Sequence, residues 1–440
     1  MSFPQMSLWD AAANMSAHAV ASTSTAWTDS LSRLPVPISF TMPFFSVFAY
    51  VGSLLFTLLC TGPATIKATS INLPSYPLAV KHPYLSTWVP GNQLGNIATA
   101  RPQFWAGQNL SWPIVARIDG SAFALFGVPN PIDGLANAHT ESVSYTSSHT
   151  IFNLAAGDAN ITLDFFSPVL PAPEDYARQS LPYSYLTVSV SNPTDKDVRV
   201  QVAAGIDQTW TNQNGAAQLS FSGSKSAQIF QFHNPDEILF TETNEAMATY
   251  GTVVWSTTND NATSHASGTA SDVLAGFAKT GIVEDAEDGP LNDLAALSSD
   301  LGKIHAKQTR NVTFAVGFDR TDAISYLENT QTGYYRSRWP TIPEAVDFVL
   351  EDYPNVNSAS QQFDKIVRQK SEAVSDEFGT KYADIIEASI RQTFGALELT
   401  VSGLTFDVLR WLLTLLHRSP KTTSQRRPRS FSKRSRVMGI

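Results

Sequence analysis

The chain has a single cysteine, Cys60, among 440 residues, and it lies in the most hydrophobic segment. Loss of that segment would leave no thiol, excluding a disulfide framework, a thiolate metal site, a redox pair or a cysteine nucleophile. Charge is scarce as well: Asp, Glu, Lys and Arg make up 16%, against about 25% in ordinary globular chains. With 43% apolar residues, the chain nevertheless has ample material for a large core and is not compositionally disordered. G-x-S-x-G and H-E-x-x-H are absent, and the eight histidines are scattered without metal-ligand spacing. No metal or other cofactor is expected.

The charge that exists is unevenly placed. From Arg410 onward there are nine basic residues and no acid, leaving 21 basic against 39 acidic residues in the rest, a net of −18. So acidic a body would repel phosphates, so no nucleic-acid partner is expected. The Arg/Ser/Pro-rich stretch 404–440 reads as a basic tail foreign to the working protein.

Residues 44–62 carry no charge. Two readings stay open. The length just suffices for a membrane anchor, and small residues after Gly62 offer cleavage points for a signal peptide. Initiation at Met42 would give a signal of ordinary layout over 42–70, leaving 1–41 as an unstructured or artefactual extension. Contact with a membrane is expected only through 44–62, if uncleaved. Asn-x-Ser/Thr sequons at Asn109, Asn160, Asn261 and Asn311 join this leader in favouring a secreted, extracellular glycoprotein.

The next stretch, 71–340, has the period of strands. Ile114, Ala116 and Ile118 alternate with Val115 and Arg117, and Asp119-Gly120 then predicts a tight turn into the strand Ala122–Val128. Leu186, Val188 and Val190 alternate likewise, followed by Asn192-Pro193-Thr194-Asp195 and by Val198, Val200 and Val202; this reads as a second hairpin. Short runs at Thr150–Leu154, Ile161–Phe166, Ile229–Phe232, Met247–Trp255 and Val312–Val316 complete a mainly β pattern, that of a β-sandwich.

The period lengthens over 341–403. Thr341 and Glu344 form a capping-box pattern with Pro343 in the first turn, and Ser358 with Gln361 offers another. Phe363, Ile366, Val367, Val374 and Phe378 recur at helical spacing, with Gly379 as the expected stop. Tyr382, Ile385, Ile386, Ser389, Ile390, Phe394 and Leu397 continue the period.

Three patterns have competing readings. Ser222-Gly223-Ser224-Lys225 and Lys279-Thr280-Gly281 match S-x-x-K and K-T-G, but Leu219 and Phe221 place the serine at a strand end rather than a helix start. Trp88, Phe104, Trp105 and Trp112 would serve as a sugar or peptide platform, or as sandwich core. The run Glu284–Asp288 is acidic but lacks the spaced ligands and turn glycine of a calcium loop, and reads as solvated.

Four long segments, 75–94, 102–120, 331–346 and 378–401, stand in an order that resembles the fungal glutaminase A family. They include SYPLAVKHPYLSTWVPGNQL, PQFWAGQNLSWPIVARIDG, QTGYYRSRWPTIPEAV and FGTKYADIIEASIRQTFGALELTV. The resemblance spans roughly Pro74 to Val401. It implies a secreted amidohydrolase converting L-glutamine to L-glutamate and ammonia, with a β-sandwich-type domain followed by an all-α, toroid-like domain. Only the opening helices of the latter are present, so a truncated and inactive enzyme is expected. The matched helix suggests Arg391 as a clamp for a carboxylate and Glu398 for an ammonium, with Gln392 and Trp88 as further substrate contacts; the catalytic residues stay unknown. A helix–helix salt bridge or a solvated face is the competing reading for the polar residues. Two other readings stay open: a non-catalytic carbohydrate- or wall-binding sandwich, and a membrane-tethered surface protein.

Overall fold

A computed structural model describes residues 72–402, apart from 171–174, 212–216 and 285–293. The expectations for 1–41, 44–62 and 404–440, and for all of the acidic run but Glu284, lie outside the described residues.

The architecture is mainly β. Eight strands form one antiparallel sheet, in the order Gln218–Gly223, Ala227–His233, Thr252–Thr258, Thr309–Asp319, Tyr183–Ser191, Ala159–Phe166, His149–Ala156 and His139–Tyr145. Six form a second, in the order Thr263–Gly268, Leu294–Ile304, Val198–Asp207, Ile114–Ile118, Ser121–Phe126 and Leu135–Asn137, where the last pair runs parallel. Inward side chains of both sheets meet in one core: Ile114, Ala116, Val200 and Leu297 from the smaller sheet, Phe152, Leu163, Val188 and Phe314 from the larger. Trp112 anchors it, fully buried, with ring centroids 5.0, 5.2 and 6.2 Å from Phe165, Trp210 and Trp255.

Asp119 and Gly120 close the expected hairpin, both at positive φ (47° and 89°). Such a turn matches the twist of its flanking strands. The second expected hairpin does not form. Tyr183–Ser191 pairs with Thr309–Asp319 and Ala159–Phe166, whereas Val198–Asp207 pairs with Leu294–Ile304 and Ile114–Ile118. Residues 192–197 carry the chain from one sheet to the other. Alternation specifies which face is buried and says nothing of the pairing partner, so Val188 and Val200 face the same core from opposite sides. Asn192 fixes the crossing, its amide donating to the carbonyls of Lys196 and Ile304 at 2.6 and 2.9 Å.

Helices cover both outer faces. Helix α1 (Ala270–Thr280) packs Val273, Leu274 and Phe277 against Val115, Ala203 and Ala296 of the smaller sheet. The serine of the S-x-x-K pattern, Ser222, lies near the end of the strand Gln218–Gly223 rather than at a helix start, and the K-T-G triplet closes α1, so they form no penicillin-binding site. Helix α2 (Ile342–Glu372) packs Ala345, Val346 and Val349 on Phe166, Tyr185, Ile229 and Val254 of the larger sheet. Its start is the expected capping box, Thr341 and Glu344 satisfying each other's backbone. No second start occurs at Ser358: α2 runs through Pro354 as one helix, its side facing the protein remaining buried at Val349 and Leu350 before the missing N–H and at Val356, Ser360 and Asp364 after it.

Gly379 is not a C-terminal stop but the first residue of helix α3 (Gly379–Gly395). A Cβ there would stand 2.1 Å from the Glu372 carbonyl oxygen, so glycine is what lets α3 begin against the end of α2. The apolar period of these helices points outward. Tyr382 and Ile385 are 42% and 54% exposed, whereas Asp364, Asp384, Glu387 and Arg391 are buried.

Trp112→Ala removes the ring on which both sheets close. It is expected to lower the unfolding free energy by about 3–5 kcal/mol, measured by urea denaturation.

Candidate functional site

Two clefts flank the first strand, Ser75–Ala79, on either side of α3. The first, about 220 Å³, is walled by Lys81 and His82 just beyond that strand, Tyr176 and Gln179 of a helical turn (Tyr176–Gln179), Tyr335, and Phe394, Leu397 and Glu398 beside the end of α3. The second, about 190 Å³, is walled by Trp88, Gln103, Phe104, Trp105, Ala388 and Gln392.

In the first cleft, polar groups are held by a connected network. The Tyr84 backbone N–H donates to His82 Nδ1 at 3.2 Å, so the imidazole proton sits on Nε2, which donates to Glu398 Oε1 at 3.1 Å. Burial pulls the His82 pKa down against the raising effect of Glu398, leaving a neutral ring. The second Glu398 oxygen accepts from Arg320. Burial raises the Glu398 carboxyl, but His82 and Arg320 outweigh it and hold the group below its ordinary range, so Glu398 is ionised. Arg320 in turn donates to Tyr250 Oη at 2.8 Å and lies 4.6 Å over the Tyr84 ring.

Lys81 differs from its neighbours. It is 5% exposed, and Nζ donates to the Gln179 carbonyl at 2.7 Å. Among the described residues no carboxylate comes within ion-pair distance of it. Burial brings its pKa from 10.5 to about 7.

The nominated residues separate. Trp88 and Gln392 meet in the second cleft. Glu398 lies past the end of α3 rather than within it, on the wall of the first cleft, with both oxygens engaged. Arg391 reaches neither. It is 1% exposed and donates to the Pro77 carbonyl at 3.1 Å. Burial lowers its pKa to about 10 despite Asp364 and Asp164 nearby. It is a buried tie between α3 and the first strand. The proposed aromatic platform splits too: Trp112 and Phe104 belong to the core, while Trp105 is exposed and Trp88 half-buried.

Sequence reasoning missed Lys81, His82 and Arg320. The only signal was two basic residues, Lys81 and His82, ending an apolar strand. Among the described residues no three or more His, Cys, Asp or Glu converge, so no ready set of metal ligands is offered.

Comparison with known proteins places the chain in a family. A family described as a domain of unknown function (DUF5127) matches residues 148–370. Glutaminase A of Aspergillus oryzae is 31% identical over 347 residues, covering 74% of this chain and 49% of that protein. The chain belongs to the fungal glutaminase A family. A probable glutaminase of Arthroderma benhamiae is 22% identical over 375 residues, covering 76% and 42%. The chain thus spans about half the length, or less, of the curated relatives it matches. The region matched by the family model takes in seven strands of the larger sheet, three of the smaller and nearly all of α2, but neither Lys81 nor Glu398.

The buried amine makes a pH prediction. Between pH 7 and 10.5 the unfolded Lys81 holds a proton that the folded one has released, so its contribution makes stability rise with pH across that window. In Lys81→Met this rise is expected to vanish, as measured by urea denaturation from pH 6 to 10. Arg320→Met would leave the half-buried Glu398 without its cation, held by His82 alone, and is expected to cost about 1–3 kcal/mol, in the same assay at pH 7.

Proposed function

We propose that the chain recognises the amino-acid substrate of a secreted glutaminase-type amidohydrolase, with L-glutamine held in the cleft between Lys81 and Glu398. One observation carries this reading: a cleft of about 220 Å³ presents an amine and a carboxylate on its walls. That volume is below the span of drug-sized pockets, which suits one amino acid and not a polymer. A zwitterion needs both signs of charge to receive it. The names of the relatives supply glutamine as the amino acid. Support for export comes from the sequons, since Asn109, Asn160, Asn261 and Asn311 are all exposed and open to glycan attachment.

Recognition goes further here than chemistry. Amide hydrolysis needs a nucleophile beside its base. Both His82 nitrogens are engaged, and the Ser180 hydroxyl donates to the Ala177 carbonyl at 2.8 Å. None of these groups is set to attack an amide. The purified chain is therefore expected to bind L-glutamine without turning it over. Calorimetry with L-glutamine and a coupled ammonia assay check the two halves. Absence of binding rejects the recognition role, and ammonia release rejects the lack of turnover.

The second cleft favours another reading, glycan binding. Trp88 and Trp105 share it with the amides of Gln103 and Gln392, and no titratable side chain lines it. Aromatic faces with flanking amides suit a sugar, and the absence of an acid or base suits binding without hydrolysis. If this cleft binds wall polymer, Trp105→Ala is expected to abolish retention in a glycan pull-down. Equal retention of the variant rejects the reading.

A further inference from the structure

Lys81 is costly where it stands. An ammonium buried among Leu170, Tyr176, Phe394 and Leu397 loses its hydration and receives one backbone carbonyl in return. The buried Arg320 and the half-buried Arg336 are better compensated. Arg320 has Glu398, and Arg336 has Asp319 at 2.7 Å. Arg391, which makes no ion pair among the described residues either, lines neither of the two clefts, whereas Lys81 lines the first. A buried cation short of an anion among the described residues, on the wall of a small cavity, is a seat for an anion supplied from outside.

We propose that this cleft binds small monocarboxylates with an apolar body, the carboxylate seated on the Lys81 ammonium. The inference rests on the reading of the cleft as a small-molecule site and names the group that enters first. It does not require the ligand to carry an amine or an amide.

The walls decide the kind of anion. Apolar side chains form most of the lining, and the ionised Glu398 stands on the same cleft. A compact dianion such as phosphate would leave those apolar walls unfilled and meet the full repulsion of Glu398. A singly charged carboxylate with a short hydrocarbon chain places its charge on Lys81 and its body on Leu170, Phe394 and Leu397.

Binding at this seat is coupled to a proton. Near neutrality part of the Lys81 population is uncharged, and only the charged form attracts the ligand. The titratable groups facing the cleft from the other walls are His82, Tyr176, Tyr335 and Glu398. His82 has its pKa pulled down, Tyr335 is pushed well up, and Glu398 is held low. These three keep one protonation state between pH 7 and 9, so the uptake falls to Lys81. Above pH 7 the affinity is expected to drop about tenfold per pH unit.

Calorimetry with pentanoate, its uncharged counterpart pentanamide, inorganic phosphate and L-glutamine tests this. Titrations run from pH 6 to 9 in two buffers of different ionisation enthalpy. Pentanoate is expected to bind at least tenfold more tightly than pentanamide or phosphate, taking up close to one proton at pH 8.5. Lys81→Met, which removes a buried charge and should stay folded, is expected to lose pentanoate binding at least tenfold. Should that variant fail to fold, the proton uptake and the pentanamide comparison still decide. Equal binding of pentanoate and pentanamide, preference for phosphate, or no proton uptake overturns the proposal. Pentanoate bound with glutamine ignored leaves the carboxylate seat standing and removes the glutamine reading. Glutamine bound with pentanoate ignored removes the carboxylate seat as proposed and leaves the glutamine reading standing.

Discussion

The Pro77 carbonyl joins the separate parts of this molecule. It accepts from Thr150 Oγ1 at 2.6 Å and from the Arg391 guanidinium at 3.1 Å. One backbone oxygen thereby ties the first strand to the larger sheet and to α3. A buried guanidinium is expensive to desolvate, and its lowered pKa reflects that cost. The geometry of both clefts follows from this tie. Lys81 and His82 lie four and five residues beyond Pro77, and Glu398 lies seven beyond Arg391. Fixing that pair fixes the wall where they meet.

Beneath α2 and α3 the interface is polar. Asp364 accepts from Thr146 and Ser148 at 2.6 and 2.7 Å, and Arg368 pairs with Asp384 at 2.6 Å and with Glu387 at 3.1 Å. Burial lifts the Glu387 carboxyl to about 7, only partly opposed by Arg368. Between its ordinary range and pH 7 the folded state therefore holds a proton the unfolded one gives up, and this group's contribution to stability falls as pH rises. Lys81 acts with the opposite sign above pH 7, so the two give the fold different sensitivities on the two sides of neutrality. The outward faces of α2 and α3 meanwhile carry Ile366, Tyr382 and Ile385 to solvent. Over α3 and the second half of α2 that is the reverse of the ordinary arrangement, in which the apolar stripe faces the core, as it still does in the first half of α2.

Much of the fold was legible because strands announce their buried face. The period of two placed Ile114, Ala116, Leu186, Val188 and Val200 on inner faces, and the Asp119-Gly120 pair and the Thr341 capping box were correctly located. The 185–202 hairpin failed because two strands of opposite sheets show the same alternation as two strands of one. Of the candidate site, Glu398, Trp88 and Gln392 were found to line clefts, and Arg391 was not. A helix positions arginine the same way whether it points at a ligand or at a backbone carbonyl.

The sequence by itself determined the mainly β character, the Asp119-Gly120 turn, the start of α2 and the membership of the fungal glutaminase A family. These depend on local chemistry and on long runs of matched residues. Tertiary structure decided which strands pair, which side of α3 is buried and which charges find partners. Each depends on groups far apart in the chain, such as Arg320 and Glu398 or Lys81 and Gln179. Burial, which lowers the pKa of an ordinary lysine to about 7, is a property of the packed surroundings and has no local signature.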